Sequence, residues 1–156
     1  MKTFAHADQA GHTPTFFLQR GQVRRNYEIP ARAASLEAAL HRLGLPPGVP
    51  PDLPPGAMEA VHTPDYLGFL AGAAAAWAKL PEPGPEVVAN IHPAPEMVAQ
   101  GARAGANIIA QAGWYTADAA CPIGPGSWAA IQGAAACALA AAAELAQQDI
   151  PPRSNW

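Results

Sequence analysis

The placement of proline is the feature that most constrains how this chain can fold. The 156 residues include 18 prolines, and these fall mainly between segments with helical periodicity. Because proline lacks an N–H and clashes inside a helix, it is tolerated there mainly in the first turn. Pro30 and Pro64 therefore predict helix starts, whereas the proline-rich segments 45–56 and 80–95 predict surface connections. We expect a globular chain dominated by helices.

Two helices carry clear start signals. The first is predicted from Pro30 to residue 43 and ends at Gly44. Its expected buried face follows the i, i+3, i+4, i+7 pattern: Leu36, Ala39, Leu40 and Leu43. The second follows Thr63, whose hydroxyl is expected to cap it, and reaches about residue 79. Its apolar stripe consists of Tyr66, Leu70, Ala73 and Trp77.

The C-terminal third is also expected to be helical. Residues 96–113 have weaker helical character, because each interior glycine costs roughly 1 kcal/mol. Residues 128–146 predict a longer helix with this buried face: Trp128, Ile131, Ala135, Leu139, Ala142 and Leu145. That helix is long enough to cross a membrane, but it is weakly hydrophobic, lacks flanking basic anchors and contains Gln132 and Glu144. We therefore reject a transmembrane assignment.

Composition narrows the classes of function. Only 13% of the residues are charged and the formal net charge is −3, so the chain has no basic surface for nucleic acid or anionic membranes. Cys121 and Cys137 form no CxxC pair and imply no disulfide framework. The N-terminus does not have the pattern of a signal peptide, so a cytoplasmic protein is expected. No local spacing of the five histidines supplies even two zinc ligands, although ligands could converge from distant segments.

The most distinctive chemistry lies in residues 114–128, which read WYTADAACPIGPGSW. Asp118 is the lone acid of this run, and a Pro125-Gly126 turn follows it. Ser127 is expected to accept a hydrogen bond in the first turn of the next helix. A carboxylate between Tyr115 and a tight turn is suited to meet a ligand, while a solvated loop acid is the alternative.

The N-terminal segment predicts a short strand and a long loop. The strand covers residues 2–6, and residues 12–28 read as an irregular loop that carries Phe16, Phe17 and Tyr27. Loops this long inside a compact domain are often functional. The alternative is a surface loop whose aromatic side chains only fix it to the core. His62 is likewise either a ligand or base, or a hydrogen-bonded structural residue.

Four stretches in order resemble the histone deacetylase family, particularly its acetylpolyamine amidohydrolase branch. Residues 28–32, followed by 36–43, are similar to the Pro-x-Arg helix start of that family. Residues 61–70 match its V-H-x-x-x-Y-L-x-F-L segment. Residues 114–123 resemble its pocket-rim loop, and residues 125–128 resemble its P-G-T-W helix start. The similarity covers most of the chain and corresponds to the N-terminal part of the family domain.

The resemblance implies an α/β fold, namely part of the arginase- and deacetylase-like three-layer architecture. We expect a helix-rich fragment with one or two parallel strands over residues 1–148, followed by an atypical tail over residues 149–156. In the family, a zinc-bound water attacks an acyl amide, with paired histidines as acid and base and a tyrosine that polarises the carbonyl. This chain lacks the Pro-Gly-His-His, Asp-x-His and catalytic tyrosine motifs. We therefore expect it to bind no zinc and to be inactive alone, so whether it is itself an enzyme stays open.

The resemblance also implies candidate site residues and partners. Asp118 aligns with a rim aspartate that accepts hydrogen bonds from the bound acetylated amine, and Phe16, Phe17 and Tyr27 become candidates for substrate contact. Ala120 stands where the polyamine branch has an acid, which puts a preference for polyamines in doubt. Residues 80–113 correspond to an insertion that builds a dimer interface.

Alternative functions follow from the same reading. A C-terminal half could complement this chain as a separate polypeptide. The alternative from a different class is a non-catalytic helical interaction or dimerisation module, which binds a partner through the Ala- and Gly-rich face of residues 96–146. An incomplete sheet exposes an edge and an apolar face, so we expect marginal stability for the isolated chain.

Overall fold

Helices dominate the structure, a computed structural model that describes residues 1–117 and 119–147. A short 3₁₀ helix, Ala7–Gly11, precedes the strands and helices. In chain order these are β1 (Phe16–Gln19), β2 (Gln22–Arg25), α1 (Pro30–Arg42), α2 (Pro64–Trp77), α3 (Pro95–Ala99), α4 (Ile108–Tyr115) and α5 (Ser127–Ala146). The predicted tail, residues 149–156, lies outside the described residues.

Helix α1 begins and ends as predicted, but its predicted buried face is wrong. Gly44 has φ +71°, and the N–H of Leu45 donates to the carbonyl of Leu40 at 2.9 Å, as in a Schellman helix end. Leu36 and Leu43 are 62% and 72% exposed. Among the described elements, the 3₁₀ helix packs against α1, and it leaves Leu36 and Leu43 exposed while Leu40 is half-buried.

Helix α2 confirms both its predicted start and its predicted face. The Thr63 hydroxyl accepts a hydrogen bond from the N–H of Tyr66 at 3.4 Å, and Pro64 occupies the first helical position. Leu70 and Ala73 are buried. They belong to the hydrophobic core, which consists of Phe69, Leu70, Ala73, Val87, Ala89, Ile108, Ala112 and Ile123.

Residues 96–113 form two short helices instead of one. The chain leaves α3 at Gly101, whose φ is +91°, a conformation that favours glycine. Helix α4 then starts with Asn107 as its N-cap, since the side-chain oxygen accepts a hydrogen bond from the N–H of Ala110 at 2.9 Å. Gly113 inside α4 lies so close to the chain at Ile91 that a Cβ there would be 1.9 Å from the Ile91 carbonyl oxygen. The weak helical pattern of residues 96–113 therefore corresponds to a break after α3 and to a close backbone contact at Gly113.

The strands differ from the prediction of one or two parallel strands. The two strands found in the described part of the chain, β1 and β2, pair antiparallel as a hairpin inside the segment predicted to be an irregular loop. Arg20 and Gly21 form its two-residue turn with φ of 52° and 72°, and positive φ at both positions suits a tight hairpin.

The predicted strand over residues 2–6 is reduced to a single parallel bridge between Phe4 and Gly48. Two hydrogen bonds form it: Ala5 N–H to Gly48 O at 3.0 Å and Gly48 N–H to Thr3 O at 2.9 Å. Residues 46, 47, 50 and 51 around Gly48 are prolines, which cannot donate to a ladder. The parallel pairing therefore stops after one bridge.

The predicted buried face of α5 is only partly correct. Trp128 and Ile131 pack against the core, but Leu139 and Leu145 are 45% and 58% exposed and Ala142 is exposed as well. The residues buried in α5 are Ser127, Ala130, Gly133 and Ala136. The 3₁₀ helix packs on α5, and a Cβ at Gly133 would lie 2.7 Å from the His6 ring. Small residues thus set the contact, which a pattern weighted by large apolar residues does not predict.

Within the described residues, α5 also has the length and composition of a membrane span, with 17% of its most apolar 18-residue window buried. Length and composition alone are weak indications, because core helices of soluble proteins share them. The rejection of a transmembrane assignment therefore stays a prediction.

Candidate functional site

A cavity of about 650 Å³ opens between α2, the end of α4 and the first half of α5. Its walls are mainly apolar and include Leu70, Ile123 and Ile131. Polar side chains from the N-terminal part of the chain also line it, namely Gln9, His12 and Glu28. Cavities of this size with a few polar groups are typical of small-molecule sites.

Two aromatic rings, Tyr66 and Tyr115, line one side of this cavity. Tyr115 stacks on Phe69 with ring centroids 5.0 Å apart, and Tyr66 lies 5.9 Å from Tyr115 in a tilted arrangement. Both spacings fall in the range that favours aromatic pairs. Directly after Tyr115, the Thr116 hydroxyl donates to the carbonyl of Ala112 at 2.7 Å. Helix α4 thus fixes the start of the predicted rim segment.

His12 and Ser127 join the N-terminal segment to the start of α5. His12 Nδ1 lies 2.8 Å from Ser127 Oγ, and Ser127 Oγ accepts a hydrogen bond from the N–H of Gly124 at 2.8 Å. The tautomer of His12 decides whether the Ser127 hydroxyl donates to Nδ1 or accepts from it. The prediction that Ser127 caps α5 is wrong, because Gly126 is the N-cap and Ser127 is the first helical residue.

Glu86 is a buried carboxylate that sequence reasoning missed. It is 5% exposed, and its Oε1 accepts hydrogen bonds from the N–H and the hydroxyl of Thr15 at 2.6 and 2.9 Å. Its Oε2 is buried and has no hydrogen-bond partner among the described residues. A glutamate that follows a proline in a proline-rich connection reads as exposed, and no local signal indicates its distant partner.

The predicted site residues separate into three groups. Asp118 lies outside the described residues, but Ala117 lines the cavity and the Ala119 carbonyl accepts a hydrogen bond from Leu18 of β1 at 3.3 Å. Phe17 and Tyr27 share a shallow depression of about 460 Å³ on the hairpin, where Tyr27 is 71% exposed. Phe16 is half-buried in β1. Substrate contact by any of these four residues stays a prediction.

Zinc does not fit the part of the chain that the structure describes. No group of three or more His, Cys, Asp or Glu side chains there could hold a metal ion. His12 contacts Ser127, and His92 Nδ1 lies 3.1 Å from the carbonyl oxygen of Gly113. The ring of His62 lies 5.3 Å from that of Tyr66. No metal-dependent step can be derived from these residues.

Comparisons with known proteins show what this chain is similar to. No protein-family model matches the chain. Its sequence and fold nevertheless confirm the resemblance to the acetylpolyamine amidohydrolase branch of the histone deacetylase family, as a deacetylase-like segment. One similar protein is the acetylpolyamine amidohydrolase of Burkholderia pseudomallei (strain 1710b), which is 38% identical over 146 residues, or 93% of this chain.

The structural comparison agrees with the sequence comparison. An iodide-soaked crystal structure of acetylpolyamine aminohydrolase from Burkholderia pseudomallei matches 93% of this chain with a TM-score of 0.84 and 37% identity. The chain spans 41% of the length of that protein. The shared fold therefore accounts for nearly all of this chain but for less than half of its relative.

Proposed function

We propose that this chain forms the N-terminal part of a deacetylase-type amidohydrolase and supplies one side of its binding site for an acetylated amine. The observation that carries the proposal is the match of 93% of the chain, at a TM-score of 0.84, to acetylpolyamine aminohydrolase. In this proposal the complete three-layer fold requires further strands beyond those described here. The zinc centre of the family also comes from other residues, so the chain alone is inactive.

The aromatic and aliphatic walls of the cavity suit the binding of an acetylated amine. Tyr66 and Tyr115 present aromatic surface beside aliphatic side chains, which favours the alkyl part of an acylated amine and attracts a neighbouring ammonium group. Asp118, on the rim segment, would accept a hydrogen bond from the substrate. Since Ala120 replaces the acid of the polyamine branch, we propose an acetylated amine without restricting it to polyamines.

A chimera tests this proposal directly. This chain would replace the 146 matched residues of the Burkholderia pseudomallei relative, and amine release from an acetylated diamine would be measured. Because a displacement of about 1 Å at a reacting group costs roughly 100-fold in rate, a folded chimera should retain activity within about that factor. The isolated chain should show no turnover, with or without added zinc. A folded, zinc-loaded but inactive chimera, or an active isolated chain, would overturn the proposal.

The role of Asp118 can be measured in the same chimera. Loss of a hydrogen bond to a charged group costs about 1.5–3 kcal/mol, so Asp118→Asn should lower kcat/KM by about 10- to 100-fold. Asp52→Asn removes an exposed carboxylate from a proline-rich connection and serves as the matched control. Equal effects of the two substitutions would remove Asp118 from the site.

A second candidate is a dimerisation module formed by residues 80–113. The observation that favours it is a set of exposed apolar side chains in this segment: Ile91, Met97, Val98 and Ile109. Contiguous exposed apolar side chains mark protein interfaces, whereas single ones are ordinary on a surface. Sedimentation would then show a dimer of the isolated chain that Met97→Glu dissociates. A monomeric wild-type chain would exclude this candidate.

A further inference from the structure

The β1–β2 hairpin carries a local concentration of positive charge. Arg20 lies in its turn, and Arg24 and Arg25 are the last two residues of β2. All three side chains are exposed, and none forms an ion pair with another described residue. Residues 16–25 contain no acid, although the chain as a whole has a net charge of −3. The hairpin is therefore a positive surface on a chain that is negative overall.

Two of these arginines line a hollow together with aromatic side chains. Arg24 and Arg25 border the depression of about 460 Å³ that also contains Phe17 and Tyr27. The strand register places Phe17 directly opposite Arg24. A guanidinium group binds a carboxylate through two parallel N–H donors, and the aromatic rings offer apolar surface to an alkyl chain. The depression thus suits a ligand with an alkyl part and an anionic end.

Backbone contacts hold the hairpin beside the rim of the 650 Å³ cavity. The N–H of Leu18 in β1 donates to the carbonyl of Ala119 at 3.3 Å. Ala117, two residues earlier in the rim segment, lines the cavity. The hairpin and the cavity rim are therefore joined directly.

The end of the hairpin leads from the depression into the cavity. Asn26 is 6% exposed; its amide nitrogen donates to the carbonyl of Phe16 at 3.3 Å, and its side-chain oxygen accepts from the N–H of Glu28 at 2.8 Å. The next residue, Tyr27, lines the depression, and Glu28 lines the cavity. Consecutive residues thus border the two hollows, and the buried asparagine fixes their connection.

The charges around the cavity favour an anion at its outer side. Glu28 is the carboxylate among the described residues that line the cavity, and it pairs with Arg32. Asp118 is the lone acid of the rim run, and in the proposed function it accepts a hydrogen bond from the substrate. An ammonium group beside the hairpin would therefore meet like charges, which repel it, whereas a carboxylate would meet opposite charges.

We propose that Arg24 and Arg25 bind the end of the substrate that is remote from its acetyl group, and that the preferred substrate is an N-acetylated amine with a terminal carboxylate. The acetamide and the alkyl chain occupy the cavity, and the carboxylate reaches the depression. Hydrolysis adds water across the amide bond and releases acetate and the free amine. Tyr66 and Tyr115 attract an ammonium group only where it lies against their rings, while the arginines act outside the cavity. This inference rests on the proposed function and names its substrate class.

Two probes of equal length test this preference in the chimera described above. N-acetylputrescine ends in an ammonium group, and N-acetyl-δ-aminovalerate ends in a carboxylate on the same alkyl chain. Arg24→Gln/Arg25→Gln removes both guanidinium groups from exposed positions without ion pairs, so the variant should fold. Arg42→Gln/Lys79→Gln is the matched control, because it removes two exposed cations that line neither the cavity nor the depression.

The measured quantity is the ratio of kcat/KM for the carboxylate probe to kcat/KM for the ammonium probe. An exposed charge pair changes an affinity by roughly 1.5- to 5-fold, and the arginines act in opposite directions on the two probes. Arg24→Gln/Arg25→Gln should therefore lower the ratio by about 10-fold, while the control variant should leave it unchanged. Raising the ionic strength to about 0.5 M should lower the wild-type ratio by screening. An equal ratio in wild type and Arg24→Gln/Arg25→Gln would overturn the inference.

NMR titration of the isolated chain reports binding without catalysis. N-acetyl-δ-aminovalerate should shift the side-chain N–H resonances of Arg24 and Arg25, which are assigned by their loss in the glutamine variants. Acetate at the same concentration should shift them less, because it lacks the alkyl chain that packs on the aromatic rings. Equal shifts with acetate or with N-acetylputrescine would show a surface that does not recognise this substrate class, and would overturn the inference.

The two measurements separate this inference from the proposed function. Turnover of either probe by the chimera supports the proposed function, whichever probe is preferred. An active chimera whose ratio does not depend on Arg24 and Arg25 refutes this inference alone. A folded, zinc-loaded but inactive chimera refutes the proposed function, and the NMR titration then decides whether the arginines bind the carboxylate probe.

Discussion

Replacement of Gly113 with alanine is expected to loosen the segment that leads into the candidate site. Gly113 lies in α4, two residues before Tyr115, whose ring forms part of the cavity wall. A Cβ at this position would lie 1.9 Å from the carbonyl oxygen of Ile91 and 3.0 Å from its carbonyl carbon. His92 Nδ1 also lies 3.1 Å from the Gly113 carbonyl oxygen. The residue thus fixes the 80–95 connection against α4.

Two opposing contributions determine how much Gly113→Ala changes the free energy of unfolding. Ordinary van der Waals contact begins at 3.4 Å, so the Ile91 carbonyl would have to move by 3.4 − 1.9 = 1.5 Å. Overpacking costs about 1–3 kcal/mol, and a backbone atom cannot rotate away, which favours the upper end of that range. Alanine gains about 1 kcal/mol over glycine in a helix interior. The net loss should therefore be about 2 kcal/mol.

Gly72 provides the matched control for Gly113. It also lies inside a helix, α2, but no heavy atom lies within 4 Å of its Cβ position, so Gly72→Ala should keep the gain of about 1 kcal/mol. Limited proteolysis reports the population of the open form when opening is fast. Cleavage should be about 30-fold faster for Gly113→Ala and about 5-fold slower for Gly72→Ala. Equal protection of both variants would refute the close contact at Ile91.

Three further outcomes can be checked on the same chain. Glu86→Ala removes the acceptor of two hydrogen bonds from Thr15 and should cost about 1–3 kcal/mol in the proteolysis assay, whereas Glu86→Gln should cost less; equal losses would contradict this account. Burial raises the pKa of the Cys137 thiol above its ordinary value of 9.0, so the stability that the neutral thiol contributes is present below pH 9.0 and is lost as the pH rises through the folded pKa. Alkylation of Cys137 should accordingly need a higher pH in the folded chain than in urea, and identical pH profiles would refute the shift. Thr63→Ala should destabilise α2 by about 1 kcal/mol and Thr63→Ser by much less, since serine can still accept the hydrogen bond from Tyr66 that Thr63 accepts; circular dichroism of the two variants would separate these outcomes.

Local signals predicted where α1 begins and ends and where α2 begins, because those signals act within one turn. Pro30, Thr63 with Pro64, and Gly44 each act through their own backbone or capping hydrogen bonds. The buried faces of α1 and α5 could not be predicted in the same way, since burial depends on which distant element packs there. The hairpin was missed because its turn has Arg20 at positive φ instead of the Asn-Gly or Asp-Gly pair that marks such turns.

In the candidate site too, the sequence predicted a local segment but not the contacts between distant segments. The distinctive run 114–128 does border the cavity, through Tyr115, Ile123 and Ser127. The contact of His12 with Ser127 spans 115 residues of sequence, and that of Glu86 with Thr15 spans 71. Nothing in the sequence around His12 or Glu86 indicates these partners. Their contacts are properties of the folded chain.

Close contacts at three glycines hold several segments of the fold together. Gly113 against Ile91, Gly126 against Gly11 and Gly133 against His6 join segments by close backbone approach. Such contacts fix geometry but bury little apolar area, and burial of that area is the dominant stabilising term. Leu36, Leu43 and Leu145 meanwhile remain exposed. Because these close contacts add little apolar burial, we expect them to fix the relative positions of the segments while adding little to the stability of the chain.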